Sequence, residues 1–226
     1  MANKIAPLSA AMEDYLKAIY LVRGSAAAAT TMVLAATLGV SAASVTNMIK
    51  KLAVLKLVRH APYHGVELTP AGEKIALEIV RHHRLLEAFL HDALGLPWDE
   101  VHGEAHKLEH VLSDNLEDHI AEYLGDPSVD PHGDPIPTKA GVVVTSAQHT
   151  LAELAPGARA VIVRVGAQDP AHLRYLRELG LVPQARLVVL ACAPFGGPVR
   201  VRVRTRQVAL DEPLARQIWV NVARKK

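Results

Sequence analysis

The chain is poor in several things, and each shortage excludes a class of protein. One cysteine, Cys192, stands in 226 residues, so neither an internal disulfide nor a thiolate-rich zinc or iron–sulfur arrangement can be built. No stretch approaches the roughly 18–20 consecutive apolar residues of a membrane span. Met1-Ala2-Asn3-Lys4 is not followed by a long apolar run either, and the expectation is a cytoplasmic protein with no membrane partner. Neither sign of charge dominates, with 25 Lys and Arg against 23 Asp and Glu, so any nucleic-acid surface has to come from local clustering. No internal repeat is present. Half of the residues are hydrophobic and 21% are charged, which is a globular composition.

What the chain has in excess is histidine, twelve in all. The densest stretch is His102-Gly-Glu-Ala-His106-Lys-Leu-Glu109-His110. On a helix turning about 100° per residue, His102, His106, Glu109 and His110 share one stripe. Leu108, Val111, Leu112 and Leu116 are expected on the opposite, buried side. His83 and Glu87 repeat the i, i+4 spacing one helix earlier. Six ligand-type residues on two adjacent helices point to a divalent first-row metal, which needs several nitrogen or oxygen donors converging on one point. The remaining donors must come from elsewhere, and Asp14 in the first helix is a candidate.

In chain order, the spacing of Met12, Tyr15, Leu16, Ile19, Tyr20 and Val22 predicts an amphipathic helix over 9–23, with Ser9 as its cap. Thr30 or Thr31 can cap a short helix from Met32 to Leu38, stopped by Gly39, and Ser41 caps another reaching about Leu55. A short helix, a glycine turn and a second helix form the helix-turn-helix, whose second helix reads the DNA major groove. Its outward residues are Ala43, Ser44, Thr46, Asn47, Lys50 and Lys51, while Val45, Ile49 and Leu52 face inward. A β-hairpin wing follows, Leu57–Ala61 and Val66–Leu68, carrying Arg59, His60 and His64 toward the sugar-phosphate backbone.

Thr69-Pro70 opens a long helix to about Leu94, in which Leu85, Leu86, Phe89, Leu90 and Leu94 suggest a dimerisation face. The histidine helix is expected to run on to Gly125. Asp126 to Gly141 is rich in proline, glycine and aspartate and reads as a rigid non-helical connector. Beyond it, strands are expected at Ala160–Val165, Arg186–Ala191, Val199–Arg206 and Ile218–Val222, with a helix Pro170–Leu179 closed by Gly180, as in a small partly open barrel. Alternation of Arg200, Arg202, Arg204 and Arg206 with Val199, Val201 and Val203 makes one strand face cationic, read here as a solvated exterior. The fold class is mainly α with a C-terminal β domain. Its expected divisions are a winged helix-turn-helix over 1–73, a helical metal-binding and dimerisation domain over 74–126, a linker over 127–150 and an SH3-like domain over 151–226.

Ordered motifs along almost the whole chain resemble the diphtheria toxin repressor family of metal-dependent transcriptional repressors, with its manganese-transport-regulator branch. They are Glu13-Asp14-Tyr15-Leu16 with Ile19-Tyr20, Leu68-Thr-Pro-Ala-Gly72, His82-His83-Arg84-Leu-Leu-Glu87, Val101 to Asp114, and Pro131-His-Gly-Asp-Pro-Ile-Pro137. The tail, with Leu154-Ala-Pro-Gly157 and Leu176-Arg-Glu-Leu-Gly180-Leu-Val-Pro183, resembles the SH3-like barrel of small ferrous-transport accessory proteins. The resemblance implies a regulatory metal position from Asp14, His106, Glu109 and His110 and an ancillary one from His83, Glu87 and His102. Asp169 and His172 of the barrel align with two further ancillary ligands of the iron branch. It implies a homodimer on near-palindromic double-stranded operator DNA, with Ala43 and Asn47 facing bases and Ser41, Ser44, Thr46 and Lys51 holding phosphates.

The iron branch has sulfur donors where this chain has Asp14 and His106. Hard oxygen with imidazole makes manganese the first expectation, with iron the alternative. Zinc, cobalt, nickel or cadmium can substitute in vitro. The manganese branch has glutamates at the positions of Lys17 and His106, so its binuclear pair is not expected. His106-Lys-Leu-Glu109-His110 also spells H-x-x-E-H, the inverted zinc-protease signature. Catalytic zinc keeps an open coordination position, whereas Glu109 lies in a crowded field of donors, and a reading helix and wing precede it. The expectation is therefore a regulator, not an enzyme.

Overall fold

A computed structural model describes residues 8–24, 28–61, 65–144, 149–166 and 169–223. Two compact units are present: Met1–His82 with Glu109–Val111 and Pro137–Val142, and His83–Leu108 with Leu112–Ile136 and Val143–Lys226. No single helix among the described residues is long and apolar enough to cross a membrane.

In the first unit, α1 (Ala10–Gly24) buries Tyr15, Leu16, Ala18, Ile19 and Val22, one stripe at helical spacing. Thr30 Oγ1 accepts from Val33 N at 3.3 Å and caps α2 (Thr31–Leu38), which stops at Gly39 in the left-handed region. Ser41 Oγ accepts from Ser44 N at 3.1 Å and caps α3 (Ala42–Val54). The two helices cross at 107°, inside the range of a helix-turn-helix. Strands β1 (Val58–Ala61) and β2 (Gly65–Leu68) pair antiparallel as the wing. Gly65 has φ +78°, and a Cβ there would lie 2.4 Å from Ala29 O, so only glycine lets Val66 N reach that carbonyl at 3.0 Å. The core of this unit includes Leu16, Ile19, Leu34, Val45 and Leu52. His64 lies outside the described residues.

Thr69 and Pro70 start α4 (Pro70–Asp92), with Thr69 Oγ1 accepting from Gly72 N at 3.2 Å. The helix runs through the His82/His83 division between the units. In the second unit the expected single histidine helix is two helices, α5 (Val101–Leu108) and α6 (Asp114–Tyr123). Ser113 Oγ caps α6 by accepting from Leu116 N at 3.3 Å, and Glu109, His110 and Val111 form a turn. With that break the opposite-side stripe fails: Leu108, Val111 and Leu116 are 41%, 77% and 51% exposed. Leu85, Leu86 and Leu90, expected on a dimer face, are instead buried with Val101, Ala105, Ile120 and Ile136. Apolar exposure in the helical part of this unit falls on Leu94, Leu108, Leu116 and Tyr123.

The connector is non-helical, as its composition predicts. Asp130 Oδ1 accepts from the backbone N–H groups of His132 and Asp134 at 2.8 and 2.9 Å. His132 O accepts from Val165 N at 2.8 Å, and a Cβ on Gly133 would collide with Val163 O, so the connector lies against the β domain. That domain is a six-stranded antiparallel sheet of β3 (His149–Thr150), β4 (Arg159–Val165), β5 (Arg186–Cys192), β6 (Val199–Val203), β7 (Arg206–Leu210) and β8 (Ile218–Val222), in the order β3-β8-β4-β5-β6-β7. The single strand expected over 199–206 is a hairpin that turns at Arg204, which takes φ +52°. Helix α7 (Pro170–Leu179) ends at Gly180 as expected, and α8 (Glu212–Arg216) follows β7. Cys192 ends β5, exposed, its thiol donating to Leu154 O.

Candidate metal centres

Among the described residues, most of the expected donors gather in two places. In the first unit His110 stands between two acids of α1. Its Nδ1 is 2.7 Å from Glu13 Oε2 and its Nε2 is 2.9 Å from Asp14 Oδ1. In the tautomer that donates Nδ1–H to Glu13, the Nε2 lone pair is available to a metal ion beside the Asp14 carboxylate. Glu109 is adjacent, fully buried, with Oε1 3.4 Å from His110 Nε2. Both its oxygens accept from the Lys17 ammonium, at 2.9 and 2.7 Å, and its backbone carbonyl accepts from His82 Nδ1 at 3.2 Å. Asp14, Glu109 and His110 thus offer a donor set of two carboxylates and one imidazole, which fits a divalent first-row ion. His106 stands on α5, one helical turn earlier in the chain.

In the second unit three donors make a compact triangle. His83 Nε2 and His102 Nδ1 are 2.9 Å apart, and each is 3.0 Å from Glu87 Oε1. A metal about 2.1 Å from each ligand fits over such a face. The second Glu87 oxygen looks toward a group that the sequence did not single out. His132 Nδ1 lies 3.8 Å from Glu87 Oε2, and one donor atom each from Glu87, Asp130 and His132 come within 4.8 Å of one another. His132 Nε2–H donates to Trp98 O at 2.7 Å, which fixes the ring so that Nδ1 faces the acids.

His83, Glu87, Asp130 and His132 are buried and His102 is partly so, and burial sets the electrostatics. It works to raise the Glu87 pKa, but the imidazoles of His102, His132 and His83 outweigh it and hold the carboxyl well below the usual glutamate range. Asp130 is pushed well above its ordinary value by burial and then by the charges of Glu87 and Asp134, with Arg84 opposing. Burial disfavours the His132 imidazolium, yet Glu87 beside it and the Trp98 carbonyl raise its pKa.

Asp169 and His172 are not part of either grouping. They are exposed at the start of α7, where Asp169 Oδ1 caps the helix by accepting from Ala171 N and His172 N, both at 3.0 Å. Those two backbone bonds lower its pKa. On α3, Ser41, Ala43, Ser44, Thr46, Asn47, Lys50 and Lys51 are all exposed, though Thr46 Oγ1 donates to Ala42 O at 2.9 Å. Arg59 of the wing is paired with Glu67 at 2.9 Å.

Sequence reasoning missed Glu13, Lys17, Asp130 and His132. The signals were present: Glu13 adjoins Asp14, Lys17 lies one turn further along α1, and Asp130 and His132 are two apart in a rigid connector.

A winged helix-turn-helix, a helical domain with clustered metal donors and a small β domain together define the class of metal-responsive, DNA-binding regulators. Three family models match in that order: "Iron dependent repressor, N-terminal DNA binding domain" over residues 7–66, "Iron dependent repressor, metal binding and dimerisation domain" over 69–138, and "FeoA domain" over 149–222. The chain belongs to the iron-dependent repressor family. It is 33% identical over 220 residues to the iron-dependent repressor IdeR of Mycobacterium leprae, covering 92% of this chain and 95% of that one. The regulator MntR of Bacillus pumilus is 37% identical over 101 residues, 43% of this chain and 69% of that one. Among solved structures, a manganese-dependent transcriptional repressor in complex with manganese is 41% identical with a TM-score of 0.88, covering 94% of this chain and all of that one. These relatives are regulators, and the peptidase reading of H-x-x-E-H falls with that.

Proposed function

We propose that the chain is a metal-dependent repressor that binds near-palindromic operator DNA as a homodimer in the cytoplasm, with manganese as corepressor. The observation that carries this is the 2.9 Å approach of Asp14, on the first helix of the DNA-binding domain, to His110 Nε2. The regulatory position is read as Asp14, Glu109 and His110, with His106 the further donor that the family resemblance implies. The ancillary position is built on Glu87 with His83 and His102, and Asp130 and His132 are further donors to its second oxygen. Asp169 and His172 would join it only on leaving the α7 cap.

A bound divalent ion supplies the positive charge that draws these carboxylates and imidazoles together. Glu13 orients the His110 ring, Lys17 balances Glu109 while the site is being filled, and Asp14 ties α1 to the donor turn. A conformation with Asp14 engaged binds metal better than one without it, so metal and operator favour the same state and each strengthens the other. Two α3 helices related by a dyad then meet major grooves about 34 Å apart, or a multiple of that. Asn47 and Ala43 face bases, and Ser41, Ser44, Thr46, Lys50, Lys51, Arg59 and His64 hold the backbone. Oxygen and imidazole donors without sulfur favour manganese, while the iron-dependent relatives support ferrous iron as the alternative.

The test is an anisotropy titration of promoter DNA from manganese- and iron-transport genes, with chelator and with each divalent ion at fixed salt. Manganese should raise operator affinity about 100-fold, a coupling of the usual allosteric size. Equal binding with chelator and with metal refutes the reading, and a response to ferrous iron alone moves it to the alternative.

A further inference from the structure

The near-neutral charge of the chain hides a strong division. Residues 149–226 hold 13 of the 25 Lys and Arg but only five of the 23 Asp and Glu, a net of +8; residues 1–148 hold 12 against 18, a net of −6. The β domain is the basic part of the molecule, and its charge is concentrated on one face. In the antiparallel ladder Arg159 of β4 and Arg202 of β6 both oppose Val188 of β5, one on each side, and Arg186 opposes Val161. Arg159, Arg186, Arg202 and Arg204 line a shallow cavity of about 660 Å³ floored by Val161 and Val188. A second cavity, of about 590 Å³, shares Arg186 and Arg204 and adds Arg177. No acidic residue lines either one.

The pairing of these side chains separates them from the rest of the domain. Arg164 lies near Asp134 and over the Trp219 ring, Arg174 and Arg177 bond Asp99, Arg206 bonds Glu178 O, and Arg216 bonds Glu212. Arg159, Arg186, Arg200, Arg202 and Arg204 have no ion pair or hydrogen-bond acceptor among the described residues. Like charges on neighbouring strands repel and lower stability. Guanidinium is also the group that binds phosphate bidentately and loses hydration most easily. Such a face is stabilised by a polyanion, and the chain's own acids are not on it.

We propose that the outer face of β4, β5 and β6, built on Arg159, Arg186, Arg202 and Arg204, is a second, sequence-independent contact for the phosphate backbone of duplex DNA. This rests on the reading of the chain as a DNA-binding protein but not on its metal response. Four guanidinium groups, one on each of three strands and one at the β6–β7 turn, match an extended row of phosphates rather than one small anion. The contact adds affinity without adding base preference, and it weakens steeply with salt.

The experiment measures binding of the full chain to an operator-free duplex of about 40 base pairs, with chelator, over a range of salt. The triple variant Arg186→Gln, Arg202→Gln, Arg204→Gln is compared with a charge-matched control, Lys74→Gln, Lys107→Gln, Arg216→Gln. The arginine variant should flatten the slope of log K against log salt by about 2–3 and weaken binding by about 10- to 100-fold at ~50 mM salt, with the control close to wild type. Thermal unfolding should be unchanged or slightly raised in the arginine variant, which separates loss of contact from loss of fold. An unchanged slope, an equal loss in the control, or no duplex binding by the wild type overturns the proposal. So does a change confined to self-association in sedimentation, which would assign the face to an acidic surface of a second copy. Because chelator is present throughout, a failed metal response at the operator and a failed arginine effect are separate outcomes.

Discussion

The two donor clusters use similar residues in opposite ways. Around His110 the carboxylates arrive from 96 and 97 residues earlier in the chain, and those of Glu13 and Asp14 stay partly open to solvent. Around Glu87 the donors come from one helix, its neighbour and a rigid connector, and Glu87, Asp130 and His132 are all buried. A cluster that closes a long excursion of the chain can report whether that excursion is closed. A cluster sealed inside one unit holds that unit together instead. On that difference we propose the first as the sensor and the second as a support.

The largest test of that contrast is Lys17→Met. It strands the buried Glu109 carboxylate without its ammonium and should cost about 3–5 kcal/mol of metal-free stability, read by urea denaturation with chelator. Saturating manganese should recover much of the loss, since an ion bound only by the folded state stabilises it. No recovery would mean that Glu109 is not a ligand. Next, Asp14→Ala should abolish the roughly 100-fold manganese effect on operator affinity while shifting the melting temperature little. A large drop in melting temperature instead would make Asp14 a structural residue and erase the contrast.

The buried cluster should show its character through pH. His132 has a folded pKa above its ordinary 6.5, so the stability from its imidazolium is fully present below about pH 6.5 and is lost as pH rises through the folded value. Metal-free melting curves should decline over that window, and His132→Gln should remove the decline while costing about 1.5–3 kcal/mol at low pH through the ion pair with Glu87 and the hydrogen bond to Trp98. A flat profile would deny that Glu87 and His132 sense each other. The smallest effect is Ser113→Ala, about 1 kcal/mol from the lost α6 cap. Hydrogen exchange should locate the change in the first turn of α6, and an effect spread over α5 would mean that the break between the helices is not set there.

Much of the architecture was legible because its ends carry local chemistry. Thr30, Ser41 and Pro70 start helices, Gly39 and Gly180 stop them, and each acts within a few residues of itself. The break at Glu109–Val111 was not legible, because H-x-x-E-H followed by leucines keeps helical spacing straight through the turn, and only the Ser113 cap competes with it. The β6–β7 hairpin was hidden for a similar reason, since Arg204 takes the left-handed conformation that glycine or asparagine usually signals. Glu109, His110, His83, Glu87 and His102 were legible as candidate donors because ligand types repeat at helical spacing, and Asp14 through the motif it shares with the resembled family. Lys17 and His132 were not, because their roles depend on which buried acid the fold brings to them.

The lone thiol has a practical consequence. Cys192 is exposed at the end of β5 and outside both donor clusters, so a spin label attaches at one place on each chain without altering a residue. In a dimer it reports a single distance between the two β domains. A narrow distribution, with or without metal, would make those domains a fixed frame. One that sharpens only on adding manganese or DNA would show the basic faces being brought into register by the event they serve.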